Sequence, residues 1–596
     1  EKIPGYKSEE YRAGRSCLSM EERINELLGS LTLEEKVALT TGRDYWTTRP
    51  VERLGIPSIW LSDGPHGVRK IRSSDDMGLG DAVPATCFPT ASCMASSWDR
   101  SLIAAIGKAI AAECRALGVQ VLLGPGINIK RTPLGGRNFE YFSEDPYLTA
   151  ELAIAFVNAV QEEGIGTSLK HYACNNQEFE RMTISAEVDM RTLHEIYLYA
   201  FERVVKEARP WTVMAAYNRI NGVPATENSY LLTTVLKNEW GYEGCVISDW
   251  TAVNDKEKAL LAGLDLEMPG KGGSGDMAVL RLVKEGRIAE SVIDEAVRRI
   301  LRLVLQAEQH QRPAVSFDAA LQAAHHALAR RAAAEGAVLL KNEHHLLPLD
   351  RNSLSSLAVI GRFAREPRYQ GAGSSQVTPS RVDTAYDEIK KLLGNQCELL
   401  YAPGYGSGSE VDENLIAEAT AAAKQAAVAV VFAGLPPEWE WEGFDRDQLA
   451  LPAAHNRLIE AVCAVQPHTV VYLANGSPVT MPWLDQAEAV IEGWLGGQAA
   501  GGAAADLLFG LVNPSGKLAE TLPRRLEDTP AYLNFPGEAD SVRYGEGLFV
   551  GYRYYDRKKI APLFPFGFGL SYTSFEYSDL QCDRKGLLKG IGCRCG

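Results

Sequence analysis

Residues able to do nucleophilic, acid–base or binding chemistry recur where apolar segments of the first half of the chain end. The clearest example is Asp249, which together with Trp250 follows the apolar run 245–247. Six more residues lie at or just after such runs: Asp63, Arg137, Lys170, His171, Met214 and Tyr217. A carboxylate can act as a nucleophile when a second carboxyl group is placed nearby to move the proton. The placement therefore predicts one site that is built from several segment ends.

Each of these residues also has an ordinary structural explanation. An Asp after a strand more often caps a helix than carries catalysis, the pair Lys170–His171 could lie on the surface, and Trp250 and Tyr217 could simply pack. The functional interpretation rests on repetition, because chance capping would not readily give the same pattern at five strand ends. A cavity with Asp, Arg, Lys, His and an aromatic ring suits a neutral ligand covered in hydroxyl groups, since charged groups bind hydroxyls and an indole stacks on an apolar ring face.

Further carboxyl groups occur in the second half of the chain, in the segment EWEWEGFDR at 438–446. Three glutamates, Glu438, Glu440 and Glu442, alternate there with two tryptophans. A carboxyl group flanked by indoles is desolvated, which raises its pKa and would let it act as a general acid near neutral pH. On composition alone, an exposed acidic loop explains the segment equally well.

Regular alternation of strands and helices predicts the elements that position the first set of residues. Strands are expected at 56–61, 119–123, 166–170, 212–216, 245–247 and 264–268, with the first helical pattern at 20–39 and a closing helix at 291–306. Repeated strand–helix units with apolar strands indicate a parallel sheet, and their number suits a (β/α)8-type barrel. Because the strands of a barrel end at one face, the candidate residues would converge there.

The second half predicts a separate α/β domain. A helix is expected at 321–340, followed by strands at 357–360, 398–401, 428–432, 469–473 and 489–494. Five strands with helices between them indicate a five-stranded flavodoxin-like αβα sandwich. The predicted boundaries are a barrel at 1–310, a linker at 311–318, the sandwich at 319–530, a C-terminal extension at 531–580, and a disordered or foreign tail at 581–596.

Composition and charge exclude several classes of partner. The formal net charge of −15 argues against nucleic acid, and no apolar run is long enough to cross a membrane. Of eleven cysteines, several lie inside apolar patterns, which favours reduced thiols and a cytoplasmic location. Because the chain opens on Glu1 without an apolar signal stretch, a secreted or periplasmic protein that has lost its signal peptide is left open.

We expect no metal and no cofactor. The chain has no HExxH helix and no paired CxxC motifs, and His66, His171 and His194 share no metal-ligand spacing. The Gly-rich turn GAGSS at 371–375 lacks the lysine of a phosphate-binding loop, so it serves equally well as a loop that lines a sugar site.

Several motifs together resemble those of family 3 glycoside hydrolases, most of which are β-glucosidases. The segment VLKNEWGYEGCVISDWTA at 235–252 resembles the family signature. DGPHGVR at 63–69, GGRN at 135–138, KH at 170–171, YN at 217–218 and NPSGKL at 513–518 also resemble family motifs, so that the resemblance covers about 31–577.

The resemblance implies a barrel and a sandwich with the active site between them. Asp249 would be the nucleophile and Glu442 the acid/base of a retaining exo-β-glycosidase that releases β-D-glucose from the nonreducing end by double displacement. The implied sugar-binding residues are Asp63, Arg137, Lys170, His171, Met214, Tyr217 and Trp250. Relatives often end in a fibronectin-III-like domain. In this sequence, Phe575–Tyr577 resembles only the start of such a domain.

Other activities remain open at this level. A β-xylosidase or another family 3 exo-glycosidase would share the catalytic residues, and a truncated sugar-binding homologue would retain the fold with little activity. A phosphorylase of the family would typically carry His at the acid/base position, which Glu442 speaks against. The expected partner is a small carbohydrate or glycoside, and the sequence leaves open whether the protein forms a homo-oligomer.

Overall fold

A computed structural model describes residues 18–78, 80, 82–270, 274–313 and 315–579. The tail predicted at 581–596 lies outside these described residues. Within them, no helix is both long enough and apolar enough to cross a membrane. The described cysteines are all free thiols, and most of them are buried.

The first domain is built on a parallel sheet whose strands are buried on both faces. Its strands are β1 (Leu61–Asp63), β2 (Val121–Leu123), β3 (Gly166–Tyr172), β4 (Thr212–Ala215) and β5 (Cys245–Ser248). They pair in that order, each parallel to the next. Burial on both faces explains why β2, β4 and β5 are largely apolar rather than alternating. Polar residues lie toward the carboxyl ends of β1 and β3.

Beyond β5 the parallel pairing of the first domain continues through isolated bridges instead of a regular strand. Ile247 pairs with Leu266 and Thr41 pairs with Glu267, in both cases parallel. The strand predicted at 264–268 is thus reduced to these two contacts, and the one predicted at 56–61 begins only at Leu61.

Helices follow or precede the strands as the alternation predicts. The main ones in this domain are Met20–Ser30, Leu33–Leu39, Ala91–Ser96, Arg100–Leu117, Pro146–Glu162, Tyr199–Ala208, Tyr230–Glu239, Lys256–Ala262, Ser274–Lys284 and Glu290–Gln309. The pattern at 20–39 forms two helices, because Thr32 caps the second one. The Thr32 side chain accepts a hydrogen bond from the Glu35 amide, and the Glu35 carboxylate accepts one from the Thr32 amide.

The second domain contains a six-stranded sheet. Its strands are β6 (Val338–Asn342), β7 (Ser356–Ile360), β8 (Glu398–Ala402), β9 (Val428–Gly434), β10 (Thr469–Ala474) and β11 (Ala489–Glu492). The order across the sheet is β8-β7-β9-β10-β11-β6, with all neighbours parallel except the antiparallel edge pair β11-β6. The five predicted strands therefore take the order 2-1-3-4-5, which is the flavodoxin order.

The sheet has one strand more than the five predicted, because β6 begins within the last three residues of the helix predicted at 321–340. That helix runs Ala319–Gly336 and ends where the Gly336 backbone packs on Cys93. Residues 338–340 are apolar and buried, and a short apolar run of this kind cannot be assigned to helix or strand from its periodicity. The remaining sandwich helices are Ala385–Leu393, Glu413–Gln425, Ala453–Cys463 and Ala500–Leu508.

The C-terminal segment contacts both domains. The strand Ser541–Arg543 pairs in parallel with Ser185–Glu187 of the first domain. Nearby, the buried Arg131 guanidinium binds the Glu546 carboxylate at 2.5 and 3.0 Å. Further along, Leu570 bridges to Leu339 of the sandwich. This segment therefore helps to fix the two domains relative to each other.

Asp445 attaches the segment 438–446 of the sandwich to the barrel. Its carboxylate accepts hydrogen bonds from three backbone amides of barrel loops, those of Gly136 at 2.8 Å, Glu178 at 2.9 Å and Phe179 at 2.8 Å. The two backbones touch at Gly136, where a side chain would lie 1.9 Å from the Phe444 carbonyl oxygen. A glycine is therefore required at this contact.

We expect Asp445→Ala to release the segment 438–446 from the barrel. The change leaves the amides of Gly136, Glu178 and Phe179 without this acceptor, and an unsatisfied donor costs about 1–3 kcal/mol where it is buried. Hydrogen exchange should accelerate at 135–138, 177–180 and 438–446, and the melting temperature should fall. The matched control is Asp447→Ala, an exposed carboxylate two residues away, which should leave both measurements unchanged. Equal exchange in the two variants would show that Asp445 does not hold the domains together.

Candidate active site

All nine residues singled out in the sequence line a single cavity of about 510 Å³. Asp63 ends β1, Lys170 and His171 lie in β3, Met214 lies in β4, and Tyr217 follows β4 by two residues. Asp249 and Trp250 follow β5 directly. Arg137 lies in the long loop between β2 and the helix Pro146–Glu162, whereas Glu442 comes from the sandwich segment 438–446. The cavity is thus shared by the two domains.

Asp249 is buried at the base of the cavity. Its Oδ1 accepts a hydrogen bond from the Trp250 amide at 2.7 Å, which orients the carboxylate. Its Oδ2 has no hydrogen-bond partner among the described residues and lies 3.7 Å from His171 Nε2. Burial raises the pKa of Asp249, and the nearby cations Arg137, Arg181 and Lys170 oppose this only in part.

Glu442 is held by charge rather than by indole rings. Its Oε1 accepts a hydrogen bond from Arg181 Nη1 at 2.8 Å and lies 3.5 Å from Arg137 Nη1, while its Oε2 accepts one from the Ser374 amide at 2.6 Å. Burial acts to raise its pKa, but the two guanidinium groups and the Ser374 hydrogen bond lower it overall. The predicted upward shift was therefore wrong. Of the two indoles, Trp441 is 42% exposed and desolvates little.

The other two glutamates of this segment serve different purposes. Glu440 is buried behind the cavity and accepts hydrogen bonds from the Gly476 amide and the Ser477 hydroxyl. Glu438 is exposed. Only Glu442 faces the cavity, so the structure selects one of the three candidates.

Arg137 and Lys170 are fixed by a common buried partner, Glu140. Arg137 donates to Glu140 Oε2 from Nε at 2.8 Å, with Nη2 2.7 Å from the same oxygen, and Lys170 Nζ lies 3.1 Å from Oε1. The short helical turn Asn138–Glu140 provides the three-residue spacing that brings Arg137 and Glu140 together. Two positive groups are thereby held against the cavity at fixed positions.

Asp63 and His171 complete the polar wall. Burial raises the pKa of Asp63 to about 6, with Lys170 and Arg69 opposing this shift. Burial lowers the pKa of His171 well below its usual value, which favours the neutral imidazole. Its Nδ1 lies 3.1 Å from the Tyr141 hydroxyl, so the ring orientation is fixed from behind.

Aromatic side chains also line the cavity. The Trp250 indole donates from Nε1 to the Tyr45 carbonyl at 2.8 Å and lies beside the Trp46 ring, with 5.5 Å between centroids. The Tyr217 ring packs under the Arg181 guanidinium at 4.7 Å. Such flat, oriented rings can stack on the apolar face of a ring-shaped ligand.

Several lining residues were missing from the sequence prediction, Arg181 above all. Arg181 lies in a loop nine residues beyond Tyr172, at no strand end, so the rule that found the others does not apply to it. The available signal was the Glu178–Arg181 spacing of three residues, which favours an ion pair. Trp46 and Arg69 also line the cavity, as do Gly373 and Ser374 of the turn at 371–375. The turn at 371–375 therefore lines the cavity, as expected for a loop at a ligand site.

Within the described ranges, no group of three or more His, Cys, Asp or Glu side chains is arranged to hold a metal ion. The cavity brings together three carboxyl groups, Asp63 and Asp249 of the barrel and Glu442 of the sandwich, with several buried cations and aromatic rings.

Comparison with known proteins assigns the chain to a family. Residues 20–303 match the glycosyl hydrolase family 3 N terminal domain, and residues 337–572 match the glycosyl hydrolase family 3 C-terminal domain. The chain is 56% identical over 564 residues to thermostable beta-glucosidase B of Acetivibrio thermocellus, covering 94% of this chain and 74% of that protein. It is 46% identical over 580 residues to an exo-alpha-(1->6)-L-arabinopyranosidase of Bifidobacterium longum, covering 95% and 75%.

A solved structure gives the same answer for the fold. Beta-glucosidase 3B of Thermotoga neapolitana in complex with glucose matches with a TM-score of 0.86 and 36% identity, covering 95% of this chain and 85% of that one. The predicted combination of barrel and sandwich is confirmed. The chain belongs to glycoside hydrolase family 3.

Proposed function

We propose that the protein is a retaining, exo-acting β-glucosidase that releases β-D-glucose from the nonreducing end of small glucosides or oligosaccharides. The observation that carries this proposal is the meeting of Asp249 and Glu442, from two domains, in one cavity with buried hydroxyl-binding groups. The beta-glucosidase named among its relatives, at 56% identity, supports the same substrate class.

The reaction we propose is a double displacement. Asp249 attacks the anomeric carbon while Glu442, carrying a proton, protonates the departing glycosidic oxygen. Glu442 then deprotonates a water molecule, which attacks the anomeric carbon of the glycosyl-enzyme and frees Asp249. Net retention follows because each step inverts the anomeric centre.

Sugar recognition is assigned to the walls of the cavity. Asp63, Arg137, Lys170 and His171 bind hydroxyl groups of the nonreducing-end sugar, and charge-assisted hydrogen bonds of this kind are stronger than neutral ones. The sugar face stacks on the aromatic and apolar side chains: Trp250, Tyr217 and Met214. A cavity of about 510 Å³ has room for a terminal sugar, which supports exo action.

We also propose a cytoplasmic location, supported by the free, mostly buried thiols. Fractionation of the source cells, with activity assayed in each fraction, tests this; activity confined to the medium or the periplasm would contradict it.

Azide rescue separates the roles of the two carboxyl groups. Asp249→Ala should lower kcat by at least about 10³-fold, and added azide should restore turnover and yield the α-glucosyl azide, because a single displacement inverts the centre. Glu442→Ala should instead yield the β-azide, since Asp249 still forms the glycosyl-enzyme. Proton NMR of the products distinguishes the two anomers. Wild-type turnover in Asp249→Ala would refute the assignment.

A panel of aryl glycosides tests the substrate. We expect kcat/KM to be highest for the β-D-glucoside, lower for the β-D-xyloside, which lacks the hydroxymethyl group, and lower for the α-L-arabinopyranoside. Added phosphate should not change the rate or the product, since Glu442 is suited to water activation. Phosphate-dependent release of glucose 1-phosphate would indicate a phosphorylase, and a higher rate on the xyloside or arabinoside would reassign the specificity.

A further inference from the structure

The two arginines at Glu442 each have a glutamate of their own three residues away. Arg137 pairs with Glu140, and Arg181 pairs with Glu178. The second pair is unusual because Arg181 Nη1 donates to two carboxylates at once, to Glu178 Oε2 at 2.7 Å and to Glu442 Oε1 at 2.8 Å. One guanidinium nitrogen is therefore shared by a carboxylate of each domain.

Glu178 also contacts the backbone that carries Glu442. Its Oε2 accepts a second hydrogen bond, from the Gly443 amide at 2.9 Å. The Glu178 side chain is only 2% exposed and lies behind the cavity wall, so it does not reach the ligand space itself. Its position allows it to act on Glu442 through the neighbouring peptide and through Arg181.

We propose that Glu178 is a positioning residue that keeps Glu442 able to carry a proton, by competing with it for Arg181 and by holding the Gly443 amide. This inference rests on the acid/base role proposed above for Glu442. A Glu442 that is paired fully with Arg181 and Arg137 would be a charged carboxylate, which cannot donate a proton. A charged Glu178 draws Arg181 away and disfavours a second negative charge beside it.

The surroundings determine when Glu178 exerts this effect. The charged groups around it come from its own loop (Arg181), from the barrel turn (Arg137) and from the sandwich segment (Glu442 and Asp445). Burial raises the pKa of Glu178 to about 7, opposed by Arg137 and Arg181. Glu178 thus becomes charged as pH rises through neutrality, and its charge then opposes the effect of the two arginines, which lower the pKa of Glu442. The expected effect is an extension of the acid form of Glu442 to higher pH.

The test is Glu178→Gln, which keeps an acceptor for the Gly443 amide and removes the charge. The alkaline limb of kcat/KM for an aryl β-glucoside should move down by about one pH unit, as expected when a like charge a few ångströms away is removed. Substrates whose leaving group needs protonation, such as alkyl glucosides or cellobiose, should lose about tenfold in kcat/KM at pH 7. The 2,4-dinitrophenyl glucoside, which needs no proton, should lose less than about twofold.

Glu388→Gln is the matched control. It removes another partly buried carboxylate that is paired with an arginine, Arg330, in the sandwich and away from the cavity. It should keep the wild-type pH profile and the wild-type ratio between poor and good leaving groups. If Glu178→Gln does not fold, Glu178→Asp provides the measurement, since it draws the charge back from Arg181, and its alkaline limb should lie below that of the wild type.

The outcomes separate this inference from the proposed function. An unchanged alkaline limb in the Glu178 variant, or an equal loss on all leaving groups, would show a merely structural role and overturn the inference while wild-type hydrolysis stands. A wild-type protein that hydrolyses no glycoside would overturn the proposed function and the inference with it.

Discussion

The structure depends on charge balance inside a cavity that is largely shielded from water. Five carboxyl groups lie in or directly behind its wall: Asp63, Glu140, Glu178, Asp249 and Glu442. Four cations face them: Arg69, Arg137, Lys170 and Arg181. Burying an unpaired ion costs several kcal/mol, so these groups are tolerated only because pairs such as Arg137–Glu140 and Arg181–Glu178 form within the barrel itself. The sandwich then adds one more carboxylate to an arrangement that already holds its arginines in place.

This dependence links docking to chemistry. Glu442 reaches the cavity only because Asp445, three residues on, accepts the three barrel amides. The same loop of the barrel, at 178–181, supplies two of those amides and also carries Arg181. A change in that loop would therefore alter both the position of Glu442, the proposed acid/base, and the charge that it experiences. The stability of the domain interface and the pKa of Glu442 therefore depend on the same loop.

The sequence predicted much of the site, because strand ends in a parallel barrel meet at one face wherever they occur in the chain. Asp63, Lys170 and Asp249 were found by that rule alone. Choosing Glu442 among three glutamates required the family resemblance, and local composition gave the wrong direction for its pKa. Local composition shows only the indoles, which are close to Glu442 in sequence. Its pKa is lowered by Arg137 and Arg181, and Arg181 lies 261 residues away in the chain. The edge strand β6 was not predicted, because its apolar residues follow an alanine-rich helix closely and were assigned to that helix.

The base and the rim of the cavity are built differently. At the base, each charged or aromatic side chain is fixed from behind by a second group, as His171 is by Tyr141 and Trp250 by the Tyr45 carbonyl. At the rim, Met77 is 61% exposed and Trp441 is 42% exposed. Substitutions at the rim can therefore change what the departing part of a substrate touches without disturbing the charge network beneath. Directed evolution aimed at new leaving groups can therefore be confined to the rim residues, and the charged residues at the base can be left unchanged.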